Sequence, residues 1–164
     1  MRPQAIFGIS VLLSFAVWGL IGARFLWPAL RARPRTEALR PLLLLHGLRF
    51  VGLVFLVPGV VSPDLPDAFA RPAAYGDLAT SLLALAAIAT LEKPPGTTIV
   101  WLFNIVGTVD LPNAFYQGNR VGLAPGLLGA GYFIPTVVVP LLLVTHALVF
   151  RVLLRPGSVE VRHA

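Results

Sequence analysis

The sequence predicts an all-α integral membrane protein whose five transmembrane helices form a compact bundle. Three observations carry that reading. The chain is 57% hydrophobic and only 12% charged, whereas soluble domains are nearer a quarter charged. Five stretches each hold the ~20 mostly apolar residues needed to cross ~30 Å of hydrocarbon. The links between them are short, so residues 1–164 read as a single transmembrane domain. Lipid cannot satisfy backbone groups, and the alternation of a membrane barrel strand is absent, so the spans are helices.

The first span covers about 5–29 and is uncharged up to Arg24, which lies near its end and can snorkel. Its apolar stretch is too long for a secretory leader, and no small-x-small cleavage site follows. The second, about 41–61, carries His46 and Arg49, with Pro58 expected to kink it. The third, about 72–91, opens after Pro72, and Asp77 is expected in its first turns, beside the positive helix end. Gly76, Thr80 and Ala84 give it a narrow face for close packing. The fourth, about 96–116, carries Asn104 and Asp110. It either stops near Leu111, leaving Asp110 at a rim or shallow funnel, or runs on with a kink at Pro112; the first is favoured. The fifth, about 127–154, is uncharged up to Arg151 and is expected to bend at Pro135 and Pro140.

Asp64-Leu65-Pro66-Asp67-Ala68-Phe69 is echoed by Asp110-Leu111-Pro112-Asn113-Ala114-Phe115. The echo suggests that helix pairs two–three and four–five are tandem copies of one unit. An Asp-x-Pro turn at two helix ends explains the same pattern without a repeat, and both readings stay open here.

Basic residues set the expected orientation. Arg31, Arg33, Arg35 and Arg40 follow the first span, Lys93 follows the third, and Arg151, Arg155 and Arg162 close the chain. The other side has Arg2, Arg71 and Arg120, diluted by Asp64 and Asp67. The positive-inside rule then places the N-terminus outside and the C-terminus in the cytoplasm. The net charge of +6 is mostly this bias. It anchors the chain to anionic headgroups and gives no argument for nucleic acid, since no aromatic surface accompanies the arginines. Arginine greatly outnumbers lysine, and Ala, Gly and Pro abound, which reads as a bacterial inner membrane. With no cysteine, disulfides, thiolate catalysis and cysteine-ligated iron–sulfur clusters are excluded.

Charged side chains at membrane depth cost about 2.5–3.5 kcal/mol each and need a partner or water. A rise of about 1.5 Å per residue places His46, Arg49, Asn104 and His146 in one inner layer, roughly 8–12 Å from the cytoplasmic ends. Asp77 and Asp110 fall in an outer acidic layer, with Tyr75, Asn113 and Tyr132 near them. Arg49 cannot discharge and must pair. Asp77 and Asp110 are its expected carboxylates, with Asn104 as a further acceptor. The ion pair is read either as packing glue or as an anion-binding group in a cavity.

Six residues are therefore the candidate ligand-binding set: Arg49, His46, His146, Asn104, Asp110 and Asp77. His46 and His146 could hold a haem iron axially, as a lesser alternative to no cofactor at all. They could also relay protons or simply bond two helices together. A zinc or copper site lacks further ligands at that level, and His163 is expected to be solvated in the tail. No phosphate loop, zinc-protease helix, nucleophile elbow or dinucleotide fingerprint occurs, and no catalytic residue is assigned.

In length and span number the chain is similar to the tryptophan-rich sensory protein family of small five-helix carriers. That family's motifs are missing here, so the similarity implies no site. The leading functional reading is a small membrane protein that binds or transports a small polar solute or ion through an intramembrane polar site. Five helices enclose little space, so a path is expected in a homo-oligomer or larger membrane complex. The alternatives are a redox protein or lipid-acting enzyme using the histidine pair, and a purely structural accessory subunit.

Overall fold

The computed structural model describes residues 1–156; Arg162 and His163 lie outside the described residues. Five helices are long and apolar enough to cross a bilayer. They are α1 (Pro3–Arg31), α2 (Arg35–Leu56), α3 (Asp67–Thr90), α4 (Gly96–Arg120) and α5 (Ile134–Leu153). No named strand occurs among the described residues. Helix α3 packs between α2 and α4, and α5 closes the group from the other side. Helix α1 leans on α5 and leaves Leu12, Leu13, Val17 and Leu20 exposed.

Several boundaries depart from the sequence expectation, each for a local reason. Helix α2 starts six residues early because its polar first turn, from Arg35, is helical though too hydrophilic to read as a span. It ends at Leu56, so Pro58 lies beyond it and kinks nothing. The Val54 carbonyl accepts the Val57 N–H at 3.0 Å instead of standing free. Helix α3 starts at Asp67, with Pro72 inside it. Asp77 is therefore well within the helix, beyond the reach of its end charge, which falls off within a turn; Asp67 occupies the first turn.

Helix α4 continues through Pro112 to Arg120, so Asp110 is not at a helix end. The two echoed hexapeptides consequently differ in form. Pro66 caps the start of α3, whereas Pro112 sits inside α4. The last span is broken. Pro125–Tyr132 is a 3₁₀ segment, and α5 starts only at Ile134. Pro135 lies in the first turn, where its missing N–H has no helical acceptor to lose. Ahead of Pro140 the helix widens, and the Val139 N–H reaches back five residues to the Ile134 carbonyl.

Arg35, Arg40, Arg151 and Arg155 gather at one end of the bundle. Arg155 donates to the carbonyls of Leu30, Arg31 and Arg33 at 3.3, 3.1 and 3.5 Å, satisfying the end of α1. Arg40 pairs with Glu92 at 2.6 Å, and Arg151 lies over the Trp27 ring at 4.1 Å. Two apolar clusters divide the interior. Leu39, Leu43, Val100, Phe103, Val149 and Val152 fill the basic end. Phe55, Phe69, Leu111, Leu128, Val139 and Leu142 lie toward the other.

At the end away from the basic cluster, two loops are bonded to each other. Ser62 N–H donates to Leu127 O at 2.9 Å, and Ala130 N–H donates to Val60 O at 3.0 Å. Gly129 makes this contact possible. Its φ is 53°, and a Cβ there would strike the Val60 carbonyl. Gly129→Ala should therefore destabilise the fold by about 1–3 kcal/mol, the range for a residue forced into a sparse backbone region. Gly126→Ala, with open space around it, should leave thermal unfolding unchanged. Equal melting temperatures for both variants would show that the loop contact is absent.

Candidate functional site

Helix α2 changes winding where the site begins. It is α-helical to Gly47 and 3₁₀ from Leu48 to Leu56. Nine residues is long for a 3₁₀ stretch, which normally runs three or four. With three residues per turn, side chains at i and i+3 eclipse. That winding aligns Arg49, Gly52 and Phe55 on the buried face. At the junction the Ser81 hydroxyl donates to the Gly47 carbonyl at 2.6 Å, tying the change of winding to α3.

Arg49 is 1% exposed, and each of its N–H directions meets an acceptor. Nε donates to Asp77 Oδ1 at 2.8 Å, and Nη2 lies 2.7 Å from the same oxygen. Nη2 also donates to Asp110 Oδ2 at 2.7 Å. Nη1 reaches the Gly107 carbonyl at 3.2 Å and His146 Nε2 at 3.3 Å. One guanidinium thus joins α2 to α3, α4 and α5. With its donors engaged by protein, Arg49 offers little to an anion, which disfavours the anion-binding reading of this residue.

The hydrogen bonds set the histidine protonation. Arg49 can only donate, so His146 Nε2 accepts. The proton of the ring is then on Nδ1, which donates to Asn104 Oδ1 at 2.7 Å. Asn104 Nδ2 donates in turn to the His146 carbonyl at 3.3 Å. Asn104 therefore orients His146 and does not accept from Arg49. The hydroxyl of Thr145 donates to the Leu141 or Leu142 carbonyl, at 2.9 and 3.0 Å. It accepts from His46 Nε2 at 3.0 Å. His46 Nδ1 is left buried with no partner.

Three glycines seat this cluster. A methyl group on Gly52 would overlap the Asp77 carboxylate, one on Gly76 the Asp110 carboxylate, and one on Gly107 the His146 ring. Each polar side chain lies against the bare backbone of the preceding helix. The small face read on α3 from Gly76 and Thr80 is one of these seats.

The structure brings all six sequence-predicted residues together, but not in two separate layers. Arg49 links the two carboxylates to the histidine level. Tyr75 and Asn113 are exposed and take no part. Tyr132 instead lies 3.5 Å from the Ser10 hydroxyl. The His46 and His146 rings pack 4.1 Å apart at centroids, tilted by 44°, with Phe103 at 5.1 and 5.2 Å. Axial ligation needs a porphyrin plane between the rings and a free nitrogen on each. Packed rings and the bonded His146 nitrogens do not fit haem. Among the described residues no three His, Cys, Asp or Glu side chains converge as metal ligands.

A cavity of about 390 Å³ opens directly above the carboxylates, on the side away from the basic end. Asp77 and Asp110 form its floor, Phe7, Phe55, Phe69 and Phe115 much of its wall, and Gln4 and Asn119 also line it. The sequence reading missed the phenylalanines and the seats at Gly52 and Gly107. The spacing Arg49-x-x-Gly52-x-x-Phe55 was the available signal, since three-residue spacing reads as one face only when the helix is 3₁₀.

If the cluster holds the helices together, removing its cation should be severe. Arg49→Met leaves two carboxylates without a counter-charge and should cost about 3–5 kcal/mol in unfolding experiments. Adding Asp77→Asn and Asp110→Asn to that variant should recover a large part of the loss. A triple variant no more stable than Arg49→Met would show that the charges are not coupled.

Residues 6–154 match the family described as "Domain of unknown function (DUF8737)". No curated protein and no solved structure matches the chain.

Proposed function

The chain belongs to that family, whose description prescribes no activity, and from its geometry we propose that it is a multi-pass membrane protein that binds a small amphipathic solute. The site is the cavity floored by Asp77 and Asp110. The five helices insert in a bacterial inner membrane with the N-terminus outside. The cavity then faces outward, and the basic end lies at the anionic cytoplasmic surface.

The single observation that carries the reading is the cavity itself. Its volume falls in the ~300–1,000 Å³ range of small-molecule sites, and it is apolar with a few convergent polar groups. Those groups are held in place by Arg49, which is the pre-organisation a binding site needs. The solute enters from one side only. Below the carboxylates, His46, His146 and Phe103 close the bundle, and Val100 and Val149 beneath them are fully buried. This describes a receptor or one state of a carrier, not an open pore. Carrier action would require the cluster around Phe103 to part.

An accessory-subunit reading is favoured by one fact, that the same ion cluster ties four helices together. Ligand stabilisation separates the two. A thermal-shift screen of purified protein with amines, carboxylates, neutral aromatics and inorganic ions should find compounds that raise the melting temperature by mass action. Ala114 lines the same cavity. Ala114→Trp should fill the space and abolish those shifts while the unliganded protein stays folded. Shifts that persist in Ala114→Trp would place binding elsewhere, and no shift with any compound would favour the scaffold.

A further inference from the structure

The charge balance of the cluster narrows the solute class. One guanidinium faces two carboxylates, at 2.7 Å each. His146 is held neutral because its Nε2 accepts from Arg49. With both carboxylates ionised, the cluster carries one unbalanced negative charge at a depth where an uncompensated charge is costly. The carboxylates also keep unused oxygens. Asp77 bonds Arg49 through Oδ1 and Asp110 through Oδ2. Asp77 Oδ2 and Asp110 Oδ1 make no hydrogen bond among the described residues and lie against the bare backbones of Gly52 and Gly76, with Asp77 7% exposed. Both residues line the cavity.

Resting on the binding reading above, we infer that the solute is a monovalent organic cation, an apolar amine or quaternary ammonium. Its charge settles where Asp77 and Asp110 border the cavity, and its apolar body lies among the phenylalanines. An anion is excluded by the same arrangement, since the accessible charges are negative and Arg49 is occupied. An inorganic cation fits poorly. Hard metal ions replace their water with several oxygens, six to eight for calcium, and the walls here are aromatic and aliphatic. Phenylalanine faces instead attract a cation whose hydration is already weak. That is the way aromatic cages take quaternary ammonium groups. Phe55 and Phe69 meet edge to face, 5.4 Å apart at centroids. Phe69 is therefore not stacked flat against Phe55. Phe7 and Phe115 line the cavity from α1 and α4.

Matched probes test the inference on the full chain in zwitterionic nanodiscs. Benzyltrimethylammonium is compared by calorimetric titration with its neutral carbon isostere, neopentylbenzene, and with the anion 3-phenylpropionate. The wild type should bind the cation at least about tenfold more tightly than the isostere, and the anion not at all. Asp77→Asn and Asp110→Asn should each lose about tenfold for the cation and leave the isostere unchanged. Either variant alone suffices if the other does not fold. Equal affinity for cation and isostere would overturn the cationic assignment while keeping the cavity as a site. Binding of none of the three to the wild type would overturn the assignment, and an Ala114→Trp variant with an unchanged thermal-shift profile across the wider compound screen would remove the cavity as well.

Discussion

Arg49 has to stay charged and is 1% exposed, so the bundle is built around neutralising it. A guanidinium has five donor directions in a rigid plane, and here they are met by side chains and backbone from three other helices. Such a demand fixes helix positions more sharply than apolar packing, which tolerates sliding. It also explains the glycines. A short carboxylate can meet an arginine from the next helix only if the helices approach closely. At Gly52, Gly76 and Gly107 there is no side chain in the way.

The same interaction divides the molecule into unequal halves. Toward the basic end, the packed histidines and the apolar cluster around Phe103 fill the interior. Toward the other end, a cavity lies open above the Asp77 and Asp110 carboxylates. Two carboxyl groups facing an aromatic hollow are an arrangement that helix packing alone does not need. A structural ion pair is complete with one carboxylate. The second carboxylate, at the edge of the cavity, is what directs the functional reading toward a cation.

The spans and the pairing of Arg49 with Asp77 and Asp110 were legible in the sequence because both follow from the cost of polarity in hydrocarbon. Long apolar runs and a few isolated charges leave little choice. What stayed hidden depends on local winding and on tertiary approach. Proline at position 112 looked like a helix end, yet α4 continues through it. The 3₁₀ form of residues 48–56 changes which side chains share a face, so Gly52 and Phe55 were invisible as partners of Arg49. The bond between Asn104 and His146 joins two helices at a level the depth estimate found correctly, but spacing along each helix could not reveal which atoms meet. The break at Gly129 requires a left-handed backbone that the surrounding apolar run disguises.

The central claim is that the Arg49 guanidinium is neutralised inside the bundle by Asp77 and Asp110. Solid-state NMR of the chain in phospholipid bilayers tests it directly, with nitrogen-15 in arginine side chains and carbon-13 in aspartate carboxyls. Strong nitrogen–carbon dephasing that is lost in Arg49→Lys, with no coupling of the Arg49 signal to lipid phosphorus, is the expected result. Dephasing by phosphorus with none from the carboxyls would place the guanidinium at the headgroups and contradict the account.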